Sequence, residues 1–123
     1  MEKNRILIVE DEESLLKLES ILLTSKGYHV TGVMDGMSAL DEVRRNRPDL
    51  VLLDIMLPIM DGFEVCRQLK GNPDTANIPV VMLTAKKNSQ DMAFGHEAGC
   101  DAYITKPFKS MKILETIQHF LGR

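Results

Sequence analysis

The chain has 123 residues, 44% of them hydrophobic and 27% charged, with a net charge of −3. That size suits one domain around one core, and the apolar share argues against disorder. The acidic balance offers no basic surface to nucleic acid, and no apolar run approaches the ~18 residues that span a bilayer.

The elements alternate along the chain. The N-terminus, MEKNRILIVEDEES, turns acidic too soon for a signal peptide, and residues 5–10 (RILIVE) are its β-rich run. A helical stretch follows in which Leu15, Leu18 and Leu22 share a face, with Ile21 beside them. Residues 28–33 (YHVTGV) predict a second strand, and Met37, Leu40 and Val43 mark the next helix. Leu50, Val51, Leu52 and Leu53 run unbroken to Asp54, as in a strand covered on both faces. Phe63, Cys66 and Leu69 mark a third helix, residues 79–83 (PVVML) a fourth strand and residues 102–104 a fifth. Residues 89–98 predict a fourth helix, with Gly95, a poor helix former, inside it. Met111, Leu114, Ile117 and Leu121 form the last apolar stripe. Gly27, Asn46-Arg47-Pro48, Gly71-Asn72-Pro73 and Gly99 fall where the alternation needs breaks.

Five successive β–α units imply an α/β fold, a parallel sheet with helices on both faces, in one domain over residues 1–123. Ligands of such sheets bind at the carboxyl ends of the strands. There this chain has Glu10-Asp11, Asp54, Thr84 and, after the fifth strand, Lys106-Pro107. Three carboxylates at one rim repel one another unless a cation joins them, and Mg²⁺ suits an all-oxygen set. For Glu10 and Asp11, metal binding and charge at the start of the following helix explain the residues equally well. Taken singly, Asp54 caps the turn ahead of Pro58, Thr84 is a strand-end hydroxyl and Lys106 a solvated amine. Together they make a set able to hold a phosphoryl group, with carboxylates and metal on one side and ammonium and hydroxyl on the other.

Other chemistries lack their residues. No GxGxxG follows the first strand, and no GxxxxGKS/T occurs, which argues against dinucleotide cofactors and P-loop nucleotides. Cys66 and Cys100 have no metal-ligand spacing, nor do His29, His96 and His119. The cysteines read as small hydrophobes in a reducing compartment, with the cytoplasm as default address.

The blocks ILIVEDEE, LVLLDIMLPIMDG, VVMLTA and GCDAYITKPF, in order from residue 6 to residue 108, resemble the receiver domain of two-component response regulators. The intervals Asp11 to Asp54 (43), Asp54 to Thr84 (30) and Thr84 to Lys106 (22) match that family closely. The resemblance implies a doubly wound, flavodoxin-like five-stranded sheet of order 2-1-3-4-5, the order the chemotaxis receiver exemplifies. It implies that Asp54 accepts a phosphoryl group from the phosphohistidine of a histidine kinase or histidine phosphotransfer protein. Asp11, Asp54 and the Met56 backbone carbonyl would ligate Mg²⁺ (or Mn²⁺), with Glu10 acting through water. Lys106 would pair with Asp54 and then with a phosphoryl oxygen, Thr84 would bond another, and Tyr103 would turn inward as Thr84 moves. The bond between Lys106 and Pro107 is cis in the family. The output would be a target protein or a linked effector domain, with no nucleic acid or membrane bound by the receiver itself.

The family often has two aspartates where this chain has Glu10-Asp11; the longer side chain still reaches the metal's water. Met56 puts an apolar side chain two residues after Asp54, and our expectation is a fairly long-lived acyl phosphate. Lys86, Lys87, Lys109 and Lys112 read first as a solvated face and, more sharply, as a dock for an acidic partner. Arg44, Arg45 and Arg47 read as helix-end charge. Two rival readings lack the residues they need. An aspartate-nucleophile phosphohydrolase would want a second acid at position 56, and a flavin carrier a Ser/Thr/Gly-rich loop in place of EDEE. Both a stand-alone regulator and the receiver portion of a longer regulator, with a DNA-binding or enzymatic output, remain open at this point.

Overall fold

The structure, a computed structural model, describes residues 4–84, 99–105 and 110–122, with Thr84 by its backbone alone. In chain order the elements are β1 (Arg5–Val9), α1 (Glu13–Ser25), β2 (His29–Val33), α2 (Gly36–Arg45), β3 (Leu50–Asp54), α3 (Gly62–Gly71), β4 (Val80–Thr84), β5 (Ala102–Thr105) and α4 (Ser110–Leu121). All strand pairs are parallel, in the order β2-β1-β3-β4-β5. The expected sheet is therefore present. The helix expected over residues 89–98 lies outside the described residues, as do Lys86, Lys87, Lys106, Pro107 and Lys109.

Strand residues alternate between two apolar layers, because successive side chains leave opposite faces of a sheet. Leu7, Val9, Val51, Leu53, Val80 and Met82 meet Ala39, Leu40 and Val43 of α2 and Phe63, Val65, Cys66 and Leu69 of α3. Ile6, Ile8, Leu50, Leu52, Val81 and Leu83 meet Leu23 of α1 and Ile113 and Ile117 of α4. Every residue of β3 is buried, which accounts for its unbroken apolar run. Each large side chain so enclosed contributes roughly 1.5–3 kcal/mol.

The α1 stripe is a correction. Leu18 and Ile21 are 64% and 67% exposed, whereas Glu19 and Leu23 are buried and Leu16 and Leu22 pack on the core. The buried face is thus turned from the Leu15–Leu18–Leu22 line. Gly32 decides the turn: a Cβ there would sit 2.8 Å from Leu16 Cδ1, so the bare backbone of β2 admits Leu16. Met37 and Met111 likewise stand exposed at the margins of their stripes.

Two helix starts are capped from the side chain. Asp35 accepts the Ser38 N–H at 2.8 Å and Asp61 the Glu64 N–H at 3.0 Å, each meeting an otherwise unpaired donor of the first turn. Arg44 and Arg45 occupy the last turn of α2 as expected, but the Arg47 guanidinium lies beyond it and donates to the Asp74 carbonyl oxygen. Among the described residues no helix is long and apolar enough to cross a membrane.

Candidate functional site

The sheet order makes β1 and β3 neighbours, with Val9 opposite Leu53. Glu10, the residue after β1, therefore arrives level with Asp54, the last residue of β3. Its N–H donates to the Val33 carbonyl oxygen at 3.0 Å, which holds the chain end against β2. Ligand oxygens of Glu10, Asp11 and Asp54 all lie within 4.8 Å of one another. Glu10 is 1% and Asp54 4% exposed, while Asp11 faces solvent. So the acid cluster expected at the rim is assembled by the fold.

The single-residue explanations fare unevenly. The N-cap of α1 is Glu12, whose side chain makes no capping hydrogen bond. Glu10 Oε2 accepts the Glu12 N–H at 3.2 Å, so Glu10 does serve the helix entrance while also belonging to the cluster. Asp54 Oδ1 accepts the Met56 N–H at 3.0 Å, the turn-capping bond the sequence suggested. That bond also steers the carboxylate, because it ties the side chain to the loop that leaves the strand.

Asp54 pairs in register with Leu83, so Thr84 stands one residue farther out on the same rim. Thr84 pairs in turn with Thr105, the last residue of β5 before Lys106 in the chain. Tyr103 sits opposite Met82 on this edge strand, half-buried against the α2–α3 layer. The Met56 side chain is exposed, as an apolar residue at the site margin.

Two residues at the site carried little signal in the sequence. A Cβ on Gly62 would lie 2.4 Å from the Asp54 carbonyl oxygen, so α3 can begin against the end of β3 only with glycine there. Ile59 has a φ of +66°. The Asp61-Gly62 dipeptide was the sole hint of the first, as a turn ahead of a helix. Ile59 offered none, since a β-branched residue is disfavoured in that conformation.

A model of the family described as the response regulator receiver domain matches residues 6–118. The chain belongs to that family. This receiver is 44% identical over 121 residues to the DNA-binding response regulator MtrA of Mycolicibacterium paratuberculosis, an alignment covering 98% of the chain and 52% of MtrA. It thus spans about half the length of that curated relative. Its fold matches a putative response regulator from Chloroflexus aurantiacus with a TM-score of 0.93 at 30% identity, over 99% of this chain and 100% of the other. The receiver domain of the sensor histidine kinase PA1611 from Pseudomonas aeruginosa, whose active-site cleft coordinates a magnesium ion, matches with a TM-score of 0.91 at 32% identity, over 99% and 100%. A two-component receiver is thus what this sheet and its acid rim build.

The donor set fits the ion that receivers bind. Three carboxylates converge without a histidine or thiol among them, which favours a hard, oxygen-seeking dication over zinc or copper.

Proposed function

We propose that Asp54 is the phosphoacceptor of this receiver. Asp11, Asp54 and the Met56 backbone carbonyl would hold Mg²⁺, with Glu10 adding its carboxylate charge beside them. One observation carries the reading: a nearly enclosed Asp54 carboxylate converges with those of Glu10 and Asp11 at the carboxyl ends of adjacent strands. When bound, the dication offsets the negative charge that gathers as phosphoryl oxygens approach the carboxylates.

Asp54 attacks the phosphorus of a phosphohistidine on a histidine kinase or phosphotransfer protein. The N–P bond breaks as the O–P bond of the aspartyl phosphate forms, and the imidazole leaves with a proton from water. Lys106 neutralises a phosphoryl oxygen, Thr84 bonds another, and Tyr103 follows the inward shift of the Thr84 loop. The phosphoryl group thus favours the conformer in which Thr84 and Lys106 both reach it. The aspartyl phosphate then ends by hydrolysis, water taking the phosphoryl group as inorganic phosphate and Asp54 regaining its carboxylate.

The test is direct. With Mg²⁺ and acetyl phosphate the protein should gain one phosphoryl group by intact mass, and Asp54→Asn should gain none. Equal labelling of Asp54→Asn would remove the assignment. A second reading draws on the relatives. Since the chain spans about half of MtrA, a DNA-binding response regulator, the switch would pass to a DNA-binding output in a longer regulator. The full reading frame decides between that and a stand-alone receiver acting on a target protein.

A further inference from the structure

The loop after Asp54 sorts its side chains sharply. Ile55 and Leu57 are buried and Met60 is half-buried, while Met56, Pro58 and Ile59 face solvent. Ile59 is exceptional in two independent ways. Its side chain is 105% exposed, so it makes no packing contact worth the name. Its backbone has a φ of +66°, and the Met60 N–H donates to the Pro58 carbonyl oxygen at 2.7 Å, closing a three-residue turn around it. This is the γ-turn of the rarer, strained hand. Glycine, asparagine or aspartate occupies such a position with less strain, and any of them would be better solvated than isoleucine. Neither stability nor solubility accounts for the residue.

The strained turn is also held firmly. The Leu57 and Gly62 N–H groups both donate to the Ile55 carbonyl oxygen, at 3.0 and 2.9 Å. Met60 is wedged where a Cβ on Gly36 would meet its carbonyl oxygen at 3.0 Å. An apolar side chain presented on a fixed backbone loses little freedom when something covers it, and that is what a binding anchor requires. Met56, 57% exposed, adds a second apolar side chain within the same loop, and its N–H holds the Asp54 carboxylate.

The neighbouring chemistry indicates what covers Ile59. Asp54 is nearly enclosed, so a phosphodonor must approach over the rim to which this loop belongs. A small anionic donor gains nothing from an isoleucine there. A protein donor gains affinity by burying it, which offsets the repulsion between the phosphoryl group and three carboxylates. We propose that Ile59, supported by Met56, is the apolar anchor on which a phosphohistidine-bearing protein docks to deliver its phosphoryl group. The inference rests on Asp54 being the phosphoacceptor. It makes position 59 a determinant of donor choice: protein donors use it and small phosphodonors do not.

The experiment compares two donors on three proteins, the unaltered chain, Ile59→Asn and Ile59→Leu. One donor is acetyl phosphate with Mg²⁺. The other is the autophosphorylated histidine kinase core that labels the unaltered chain fastest when the kinases of its own cell are profiled. Ile59→Asn should lose at least tenfold in kcat/KM with the kinase, keep its acetyl phosphate rate within twofold, and show a thermal midpoint no lower than the unaltered chain. Ile59→Leu should retain transfer within about threefold. Equal kinase rates for Ile59→Asn and the unaltered chain overturn the proposal, and a change in its oligomeric state at that point would give the side chain to a second copy instead. So does a profile in which no kinase labels the unaltered chain although acetyl phosphate does. Absence of labelling by acetyl phosphate would instead sink the assignment of Asp54 itself.

Discussion

A methyl group on Gly62 would lie 2.4 Å from the Asp54 carbonyl oxygen and 2.8 Å from Ile55 Cα. Both are backbone atoms of the strand end that carries the acid, so no flexible side chain can yield. Gly62→Ala must push α3 away from β3, and overpacking of this kind costs about 1–3 kcal/mol. We expect that loss in urea unfolding, together with slower labelling of Asp54 by acetyl phosphate. Cys66 poses a different question at the same scale. Burial pushes its thiol up from 9.0 to about 12, with Cys100 and Asp101 adding to the effect and Lys70 opposing it. The folded protein therefore keeps a proton that the unfolded chain releases, so this contribution to stability is complete below pH 9 and lost as pH rises toward 12. In urea unfolding at a series of pH values, the stability advantage of the unaltered protein over Cys66→Ala should shrink above pH 9. The place of Asp54 at the rim was legible in the sequence because a charge ended an apolar strand. The constraints on Gly62 and Ile59 were not, because close approach and backbone sign arise only when distant segments meet.

At the scale of elements, the strands were easier to read than the faces of the helices. Both faces of β3 are covered, so a continuous apolar run identifies it whatever its neighbours do. In α1 six of 13 residues are Leu or Ile (Leu15, Leu16, Leu18, Ile21, Leu22, Leu23), and they surround most of the helix. Periodicity cannot choose a buried face from such a set; the contact of Leu16 with Gly32 chooses it. The corrected face makes a contrast that equilibrium unfolding can measure. Leu23→Ala should cost about 2–5 kcal/mol, as for a fully enclosed leucine, and Leu18→Ala within about 0.5 kcal/mol of nothing. Comparable losses at both positions would restore the face read from spacing. A second tie between elements was hidden as well. Lys70, near the end of α3, pairs with Asp101 just before β5 at 2.7 Å and donates to the Ala76 and Ile78 carbonyl oxygens at 3.1 and 2.8 Å. Asp101 accepts the Val80 N–H at 2.8 Å, so one half-buried pair fastens α3, β4 and β5 together. Lys70→Met should cost about 2 kcal/mol, the scale of charge-assisted hydrogen bonds, with some loss to solvent screening at the more exposed Asp101.

Over the whole molecule, the strand order is what makes an acid cluster out of residues 43 positions apart. Only because β1 lies between β2 and β3 do Glu10 and Asp11 emerge beside Asp54. Folding thus forces three carboxylates together that the unfolded chain keeps apart, and their repulsion opposes the native state. A dication that binds only the folded rim reverses the sign, stabilising it by RT ln(1 + [L]/Kd), about 2.7 kcal/mol at one hundred times Kd. Two opposite consequences follow for Asp11→Asn, because the substitution removes one repelling charge and one proposed ligand. In the presence of chelator its thermal midpoint should lie at or above that of the unaltered protein. On titration with Mg²⁺ the unaltered midpoint should climb by several degrees and overtake it, while the Asp11→Asn midpoint stays nearly flat. Parallel rises in both proteins would show that Asp11 is not a ligand, and a lower Asp11→Asn midpoint in chelator would show that the cluster is not strained by its own charge.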